Sequence, residues 1–184
     1  ALQRLAPQHL LSRLVGLFAA SETVWLKNFL ITQFAKQFKV DMSLAEEPEL
    51  TAYPSFNAFF TRPLKDGARP IGDGLISPAD GCVSQMGGID GDAILQAKGK
   101  NYTVQALLGG DDEYSQSLID GQFATIYLSP KDYHRVHMPF AGKLIATRYV
   151  PGDLFSVNQT TAENIDNLFA RNERLVCFFE TEYG

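Results

Sequence analysis

Short β-type runs dominate the sequence after Pro70, and they constrain the possible folds more than any other feature. They cover residues 75–76, 82–86, 93–96, 123–128, 143–150 and 175–179, with glycine, proline or aspartate between them. Many short strands at close spacing favour antiparallel pairing, because parallel strands need long crossover connections. One short helix is predicted at residues 103–108, ended by Gly109 and Gly110. We therefore expect an antiparallel body that resembles a barrel or a sandwich.

The first forty residues show helical periodicity instead. Apolar side chains recur every three or four positions between residues 8 and 40, which predicts two amphipathic helices, with Ser21 as the N-cap of the second. A polar connector follows. The predicted fold class is α+β, with N-terminal amphipathic helices and a connector at residues 1–50 and the β-rich body at residues 51–184.

Charge is distributed unevenly along the chain. Residues 1–40 contain five basic residues against one acidic residue, or +4, which leaves −9 elsewhere for the overall net charge of −5. The acidic total provides no field to hold a nucleic acid, so we expect no such partner. The basic helices have two open interpretations: they pack on the body, or they lie in an anionic membrane interface. In the second case Leu14, Phe18, Trp25 and Phe29 would contact lipid.

Two further expectations concern compartment and topology. The longest apolar stretch near the N-terminus, residues 14–20, is much shorter than the roughly 20 residues that cross a bilayer, so neither a membrane span nor a cleavable signal is predicted. Cys82 and Cys177 lack metal-ligand spacing and are interpreted as small buried side chains in a reducing compartment.

The densest group of chemically capable side chains lies at residues 129–139, between two predicted strands. It includes His134 and His137, two of the three histidines in the chain. A pair spaced this way can bind a metal when a helix aligns the rings, but in an extended segment residues three apart point to opposite faces, so no metal site is predicted. Two alternatives remain open: the rings bind backbone carbonyls, or they exchange protons as a general acid or base.

A second candidate is Asp80, in the turn PADG at residues 78–81. Aspartate followed by glycine is ordinary turn chemistry. The alternative is that the carboxylate orients a histidine, as in an Asp-His-Ser arrangement. Neither segment decides the function alone.

Taken together, several segments resemble bacterial phosphatidylserine decarboxylase, a pyruvoyl-dependent family. They are FNAFFTRPL (56–64), PADG (78–81), ILQAKG (94–99), YHRVHMP (133–139), VPGDLFSVN (150–158) and NLFARNER (167–174). They follow the family's order from residue 53 onwards, whereas the front helices match in character more than in letters.

The resemblance implies that a proenzyme cuts itself at a Gly-Ser bond, with Asp80 orienting His137 and His137 activating the serine. The serine becomes a pyruvoyl group on a companion α chain. That group forms a Schiff base with phosphatidylserine, which loses CO2 to give phosphatidylethanolamine, and His134 is the expected proton donor. The family is also peripheral on the cytoplasmic side of the inner membrane and is expected to form a dimer of αβ heterodimers.

This chain departs from the family pattern at its end, since it contains no Gly-Ser dipeptide and stops at Gly184. We expect it to be a β chain, or a fragment of one, whose pyruvoyl-bearing partner is separate. The rival hypotheses are a non-enzymatic module that binds lipid surfaces and a metal hydrolase that uses His134 and His137.

Overall fold

The computed structural model describes residues 7–110 and 112–182. Its helices are α1 (Gln8–Ala19), α2 (Val24–Phe38), α3 (Phe56–Phe60), α4 (Val104–Leu107), α5 (Asp112–Ser117), α6 (Gln159–Asn164) and α7 (Leu168–Arg171). Its strands are β1 (Cys82–Gly88), β2 (Ala93–Ala97), β3 (Lys100–Thr103), β4 (Gln122–Tyr127), β5 (Gly142–Val150) and β6 (Arg174–Thr181). Helices α1, α2 and α3 precede the first strand, whereas α4 to α7 lie between strands, and the predicted α+β class is confirmed.

The chain forms two compact units. One comprises His9–Gly81 and Leu128–Phe140. It contains α2, α3 and all of α1 except its first residue. The other comprises residues 7–8, Cys82–Tyr127 and residues 141–182, and it contains all six described strands. The division at residue 50 into a front segment and a body stays a prediction.

The strands pair in antiparallel fashion, as predicted. They form three two-stranded sheets, β1 with β4, β2 with β3, and β5 with β6, and these do not close into a barrel within the described ranges. Five of the predicted runs are strands. The run at residues 75–76 is not, because its backbone is irregular and the Ile76 N–H donates to the Pro139 carbonyl at 2.9 Å.

The two front helices are present but differ in burial. Helix α1 has no buried residue, whereas α2 buries Lys27, Ile31 and Ala35. The prediction that Ser21 caps α2 is wrong. Thr23 holds the N-cap position, and the Ser21 hydroxyl accepts from the Thr23 N–H at 3.3 Å, so its hydrogen bond stabilises the turn before the helix.

An aromatic core joins α2 to α3 in the unit that carries both histidines. Ser55 caps α3 by accepting from the Ala58 N–H at 3.2 Å, as a good N-cap residue does. Phe59 is fully buried against Ile31 and Tyr53. The Phe34 ring contacts Phe38, Phe56, Phe59 and Phe60 at centroid distances of 4.5 to 6.2 Å. This packing fixes α3 and therefore the residues that follow it.

In the strand-rich unit a buried glutamine links a sheet to two helices. Gln96 on β2 donates from Nε2 to the carbonyls of Ala162 and Ile165, each at 2.7 Å, and its Oε1 accepts from the Leu168 N–H at 2.8 Å. These bonds satisfy every strong polar atom of a side chain with no exposed surface. The helix predicted near residue 103 is confirmed as α4, and Gly109, at φ +78°, follows its end.

The prediction that the cysteines are buried is wrong. Cys82 and Cys177 are both free and exposed. Cys82 begins β1, and Cys177 lies on the open face of β6, where alternation leaves it beside exposed Leu175 while Phe178 is buried.

Candidate active site

Two segments that are remote in sequence run side by side in the helix-rich unit. The Ile76 N–H donates to the Pro139 carbonyl at 2.9 Å, and the His137 N–H donates to the Pro78 carbonyl at 2.8 Å. The order of these bonds is antiparallel. The pairing brings the PADG turn beside the histidine segment and places Asp80 two residues from the backbone partner of His137.

Asp80 is held by an arginine that the sequence did not single out. Arg69 Nε donates to Oδ1 at 2.8 Å and to Oδ2 at 3.1 Å, and its Nη2 also donates to Oδ2. Arg69 lowers the pKa of Asp80; partial burial opposes this, and His137 and Arg62 add to the lowering. Asp80 is therefore a carboxylate at neutral pH, with His137 within electrostatic range.

His137 is exposed, and its ring contacts a buried tyrosine. The Tyr133 hydroxyl lies 2.9 Å from His137 Nε2, and the two rings are nearly parallel, with centroids 5.6 Å apart. One ring nitrogen of His137 is thus engaged by Tyr133. The backbone pairing brings the PADG turn beside His137, but the side-chain hydrogen bonds of Asp80 and His137 go to Arg69 and Tyr133, and the expected pairing of the two residues stays a prediction.

His134 has a different environment, although it lies only three residues away. Its ring stacks on Phe60 with 3.9 Å between centroids and 21° between planes. Burial lowers the pKa of His134 from its ordinary value of 6.5, an effect that the backbone carbonyls of Pro130 and Ser129 partly offset. Within the described ranges, His134 Nε2 is buried and lacks a hydrogen-bond partner. A ring proton on Nδ1 would satisfy these carbonyls and leave a free lone pair on Nε2.

Reciprocal arginine contacts hold the histidine segment against the end of α3. Arg62 Nη2 donates to the Lys131 carbonyl at 3.1 Å, while Arg135 Nε donates to the Thr61 carbonyl at 2.7 Å. Arg62 is only 3% exposed, and this burial lowers its pKa. Its guanidinium lies 5.5 Å from the centre of the Phe59 ring. The loop is thereby attached to the aromatic core.

Comparison with known proteins identifies the family. The family model described as "Phosphatidylserine decarboxylase" matches residues 56–184, a range that includes α3, Asp80 and both histidines. The chain belongs to the phosphatidylserine decarboxylase family. A second family model, described as "PSD", matches residues 1–39.

Curated members of the phosphatidylserine decarboxylase family resemble the whole chain. Proteins named "Phosphatidylserine decarboxylase proenzyme" are 57% identical in Alcanivorax borkumensis, over 100% of this chain, and 60% identical in Pseudomonas fluorescens, over 99% of it. A protein of the same name in Ectopseudomonas mendocina is 59% identical. The chain spans 64 to 65% of the length of these relatives.

Four residues around the site went unrecognised in the sequence. Phe60, Arg62 and Tyr133 lie inside the segments that carry the family resemblance, so the sequence did mark the regions that contain them. The residue types alone did not show which of these side chains contact the histidines. Arg69 lies outside those segments, and only the fold brings it to Asp80. The metal-hydrolase hypothesis would need further metal ligands beside His134 and His137. Among residues 7–110 and 112–182, no three His, Cys, Asp or Glu side chains form a cluster that could hold a metal ion.

The residues predicted to contact a membrane are all exposed on the front helices. Leu14, Phe18, Trp25 and Phe29 keep 46 to 72% of their surface accessible. Among the described helices none is by itself long and apolar enough to cross a bilayer; α1 and α2 reach that threshold only as a pair, which is bent by 111°.

Proposed function

We propose that this chain is the larger part of a phosphatidylserine decarboxylase, which converts phosphatidylserine into phosphatidylethanolamine and CO2. The observation that supports this most is the Pro78–His137 backbone hydrogen bond, which sets the turn that carries Asp80 beside His137. Family membership and the name shared by its relatives agree with the proposal.

The first reaction is self-cleavage of the proenzyme, with Asp80 and His137 as its acid-base machinery. The His137 imidazole takes the proton of a serine hydroxyl supplied by the segment of the proenzyme beyond this chain. That serine then attacks the carbonyl of the preceding residue. Asp80 stays ionised through the whole neutral range and stabilises the imidazolium that forms. The attack moves the acyl group onto the serine oxygen as an ester. Elimination then releases that ester as a carboxylate, and hydrolysis with loss of ammonia leaves the pyruvoyl group on a separate α chain, which pairs with this one.

The residues around the two histidines fit such a group. His137 offers an exposed ring for proton transfer, and His134 offers a buried nitrogen with no partner in the described part of the chain. When bound, the pyruvoyl ketone supplies the electron sink for the loss of CO2.

The second reaction uses His134. Its pKa is lowered, so a protonated His134 is a stronger acid than ordinary histidine and readily donates from Nε2. We assign it the proton that goes to the carbon from which CO2 departs. Phe60 keeps the ring in place and limits the access of water to one face.

The proposal is tested by mass spectrometry of the full-length gene product. We expect two chains, of which the smaller gains mass at its N-terminus when hydroxylamine or borohydride reacts with the pyruvoyl carbonyl, together with release of CO2 from phosphatidylserine. An intact polypeptide with no CO2 release would instead favour the non-enzymatic lipid-surface module. CO2 release retained after exhaustive chelation would exclude the metal hydrolase.

We also propose a peripheral location on the cytoplasmic side of the inner membrane, as a dimer of αβ heterodimers. The exposed apolar side chains Leu14, Phe18, Trp25 and Phe29 would enter the interface of an anionic bilayer, while basic residues of the front segment meet its headgroups. Helix α2 buries part of its surface, so deleting the front segment would also remove packing contacts. Substitution of exposed residues therefore tests membrane binding better than deletion does.

Replacing the four exposed residues with serine should strongly reduce sedimentation with anionic liposomes. Leu144→Ser with Leu175→Ser, at exposed positions on β5 and β6, is the control and should sediment normally. Equal sedimentation of all three proteins would contradict the membrane assignment.

A further inference from the structure

Arg69 is bound more firmly than an ordinary surface arginine. Its Nε and Nη2 donate to both oxygens of Asp80, while its Nη1 donates to the Ala68 carbonyl at 2.8 Å. All three guanidinium nitrogens are therefore engaged. Another ion pair in the chain provides a contrast: Arg171 Nε and Nη2 contact only Oδ2 of Asp153, at 3.2 and 2.8 Å. Arg69 thus restricts the rotation of its carboxylate, whereas Arg171 leaves one oxygen of Asp153 unbound by the arginine.

The geometry leaves Asp80 able to serve a second partner. A carboxylate offers about four lone-pair positions, and the donors of Arg69 use one side of it. His137 is fixed beside the same turn by its N–H bond to the Pro78 carbonyl. A carboxylate anchored by Arg69 therefore presents its remaining lone pairs from a constant direction to a ring whose backbone is also fixed.

We propose that Arg69 is the positioning residue of the Asp80–His137 pair, holding the carboxylate in the orientation and the ionised state that self-cleavage requires. The inference rests on the proposed function, because it assigns Arg69 a part in the same proton transfer.

Electrostatics gives the proposal a distinctive signature. The charged groups that face Asp80 are Arg69, His137 and Arg62, and Arg69 contributes most to the lowered pKa of the carboxyl. Loss of that cation raises the pKa of the Asp80 carboxyl back toward its ordinary value, so the carboxylate takes up a proton at higher pH. Self-cleavage should then fail first on the acidic side. Lysine retains the charge but, as a single point donor, cannot grip both oxygens in the same way.

The experiment is a pulse-chase measurement of self-cleavage by full-length proenzyme made by cell-free translation, over a range of buffered pH. In Arg69→Gln we expect the acidic limb to move to higher pH, with cleavage at least about tenfold slower than wild type at the acidic end. Arg69→Lys should keep an acidic limb near that of the wild type and cleave more slowly at every pH. Arg171→Gln breaks the other ion pair and should match the wild type.

Each outcome of this experiment either supports or overturns the positioning role of Arg69. An Arg69→Gln protein with the wild-type pH dependence, even at a uniformly lower rate, would reduce Arg69 to a structural role and overturn the inference. If Arg69→Gln does not fold, as judged by thermal unfolding, Arg69→Lys carries the test, and a wild-type rate at every pH would overturn it. Asp80→Ala in the same assay separates the two proposals: normal cleavage of that variant would refute the proposed function, whereas arrest of Asp80→Ala beside an unaffected Arg69→Gln would refute the inference alone.

Discussion

His134 and His137 lie in one short segment, yet their surroundings differ in almost every respect. His134 is partly buried on the Phe60 ring, and its Nε2 has no partner in the described part of the chain. His137 is exposed, bonded through its backbone to Pro78 and through its ring to Tyr133. Residues three apart in an extended segment point to opposite sides, so one loop can supply two different proton-transfer groups. This difference is the basis on which we propose His137 for self-cleavage and His134 for decarboxylation.

The largest expected effect follows from removing the carboxylate that serves His137. Asp80→Ala or Asp80→Asn should slow self-cleavage of the full-length proenzyme by about 10³-fold to 10⁴-fold, because the imidazolium loses its compensating charge. Gel electrophoresis of a timed expression should show uncut chain. Asp153→Ala removes another arginine-paired carboxylate and should be cut normally. Normal cutting of the Asp80 variants would contradict the role assigned to His137.

A smaller effect is expected on the His134 side. His134→Ala should be cut at the normal rate but should release CO2 from phosphatidylserine about 10² to 10⁴ times more slowly, the usual contribution of a positioned acid or base. The control is His9→Ala, which changes the remaining histidine at an exposed position on α1. Full decarboxylase activity in His134→Ala would show that its imidazole is dispensable.

The smallest expected effect tests whether the Phe60 ring is what makes the surroundings of His134 differ from those of His137. Phe60→Leu removes the ring stacked on His134 and admits water, so the lowered pKa of His134 should rise toward its ordinary value. Because His134 acts as the proton donor, the alkaline limb of the pH profile for decarboxylation should move to higher pH, while self-cleavage stays normal.

Phe56→Leu is the matched control for that change, since Phe56 stacks on Phe60 but has no ring contact with His134. Each variant should lose about 1 kcal/mol of unfolding free energy with the lost aromatic contacts. A pH profile displaced equally in both would trace the effect to general loosening of the core rather than to the ring on His134.

Much of the fold could be predicted because its signals are local. The helical period of residues 8–40 and the turn residues around β1, β4, β5 and β6 are sufficient to place those elements. Helix α6 was missed because it has only six residues, although Asn158 caps it by accepting from the Thr161 N–H at 3.0 Å. The irregular run at residues 75–76 has strand-like letters, but its partner is a proline-containing loop, which no local pattern reveals.

The site was predictable only in part, for a similar reason. Asp80, His134 and His137 stand out by residue type and by family resemblance. The partners of these residues, Arg69 at Asp80 and Tyr133 at His137, follow from how the chain returns on itself. Exposure also depends on packing: Cys177 lies between partly buried Val176 and buried Phe178, yet its side chain lies on the open face of a two-stranded sheet and stays in solvent.

The division of labour between the two histidines is tested most directly by the intact masses of full-length His137→Ala and His134→Ala, expressed and purified in parallel. We expect a single unbroken polypeptide for His137→Ala and two chains, with a carbonyl-reactive smaller chain, for His134→Ala. The same fate for both variants, whether cut or uncut, would contradict the assignment of these residues to separate steps.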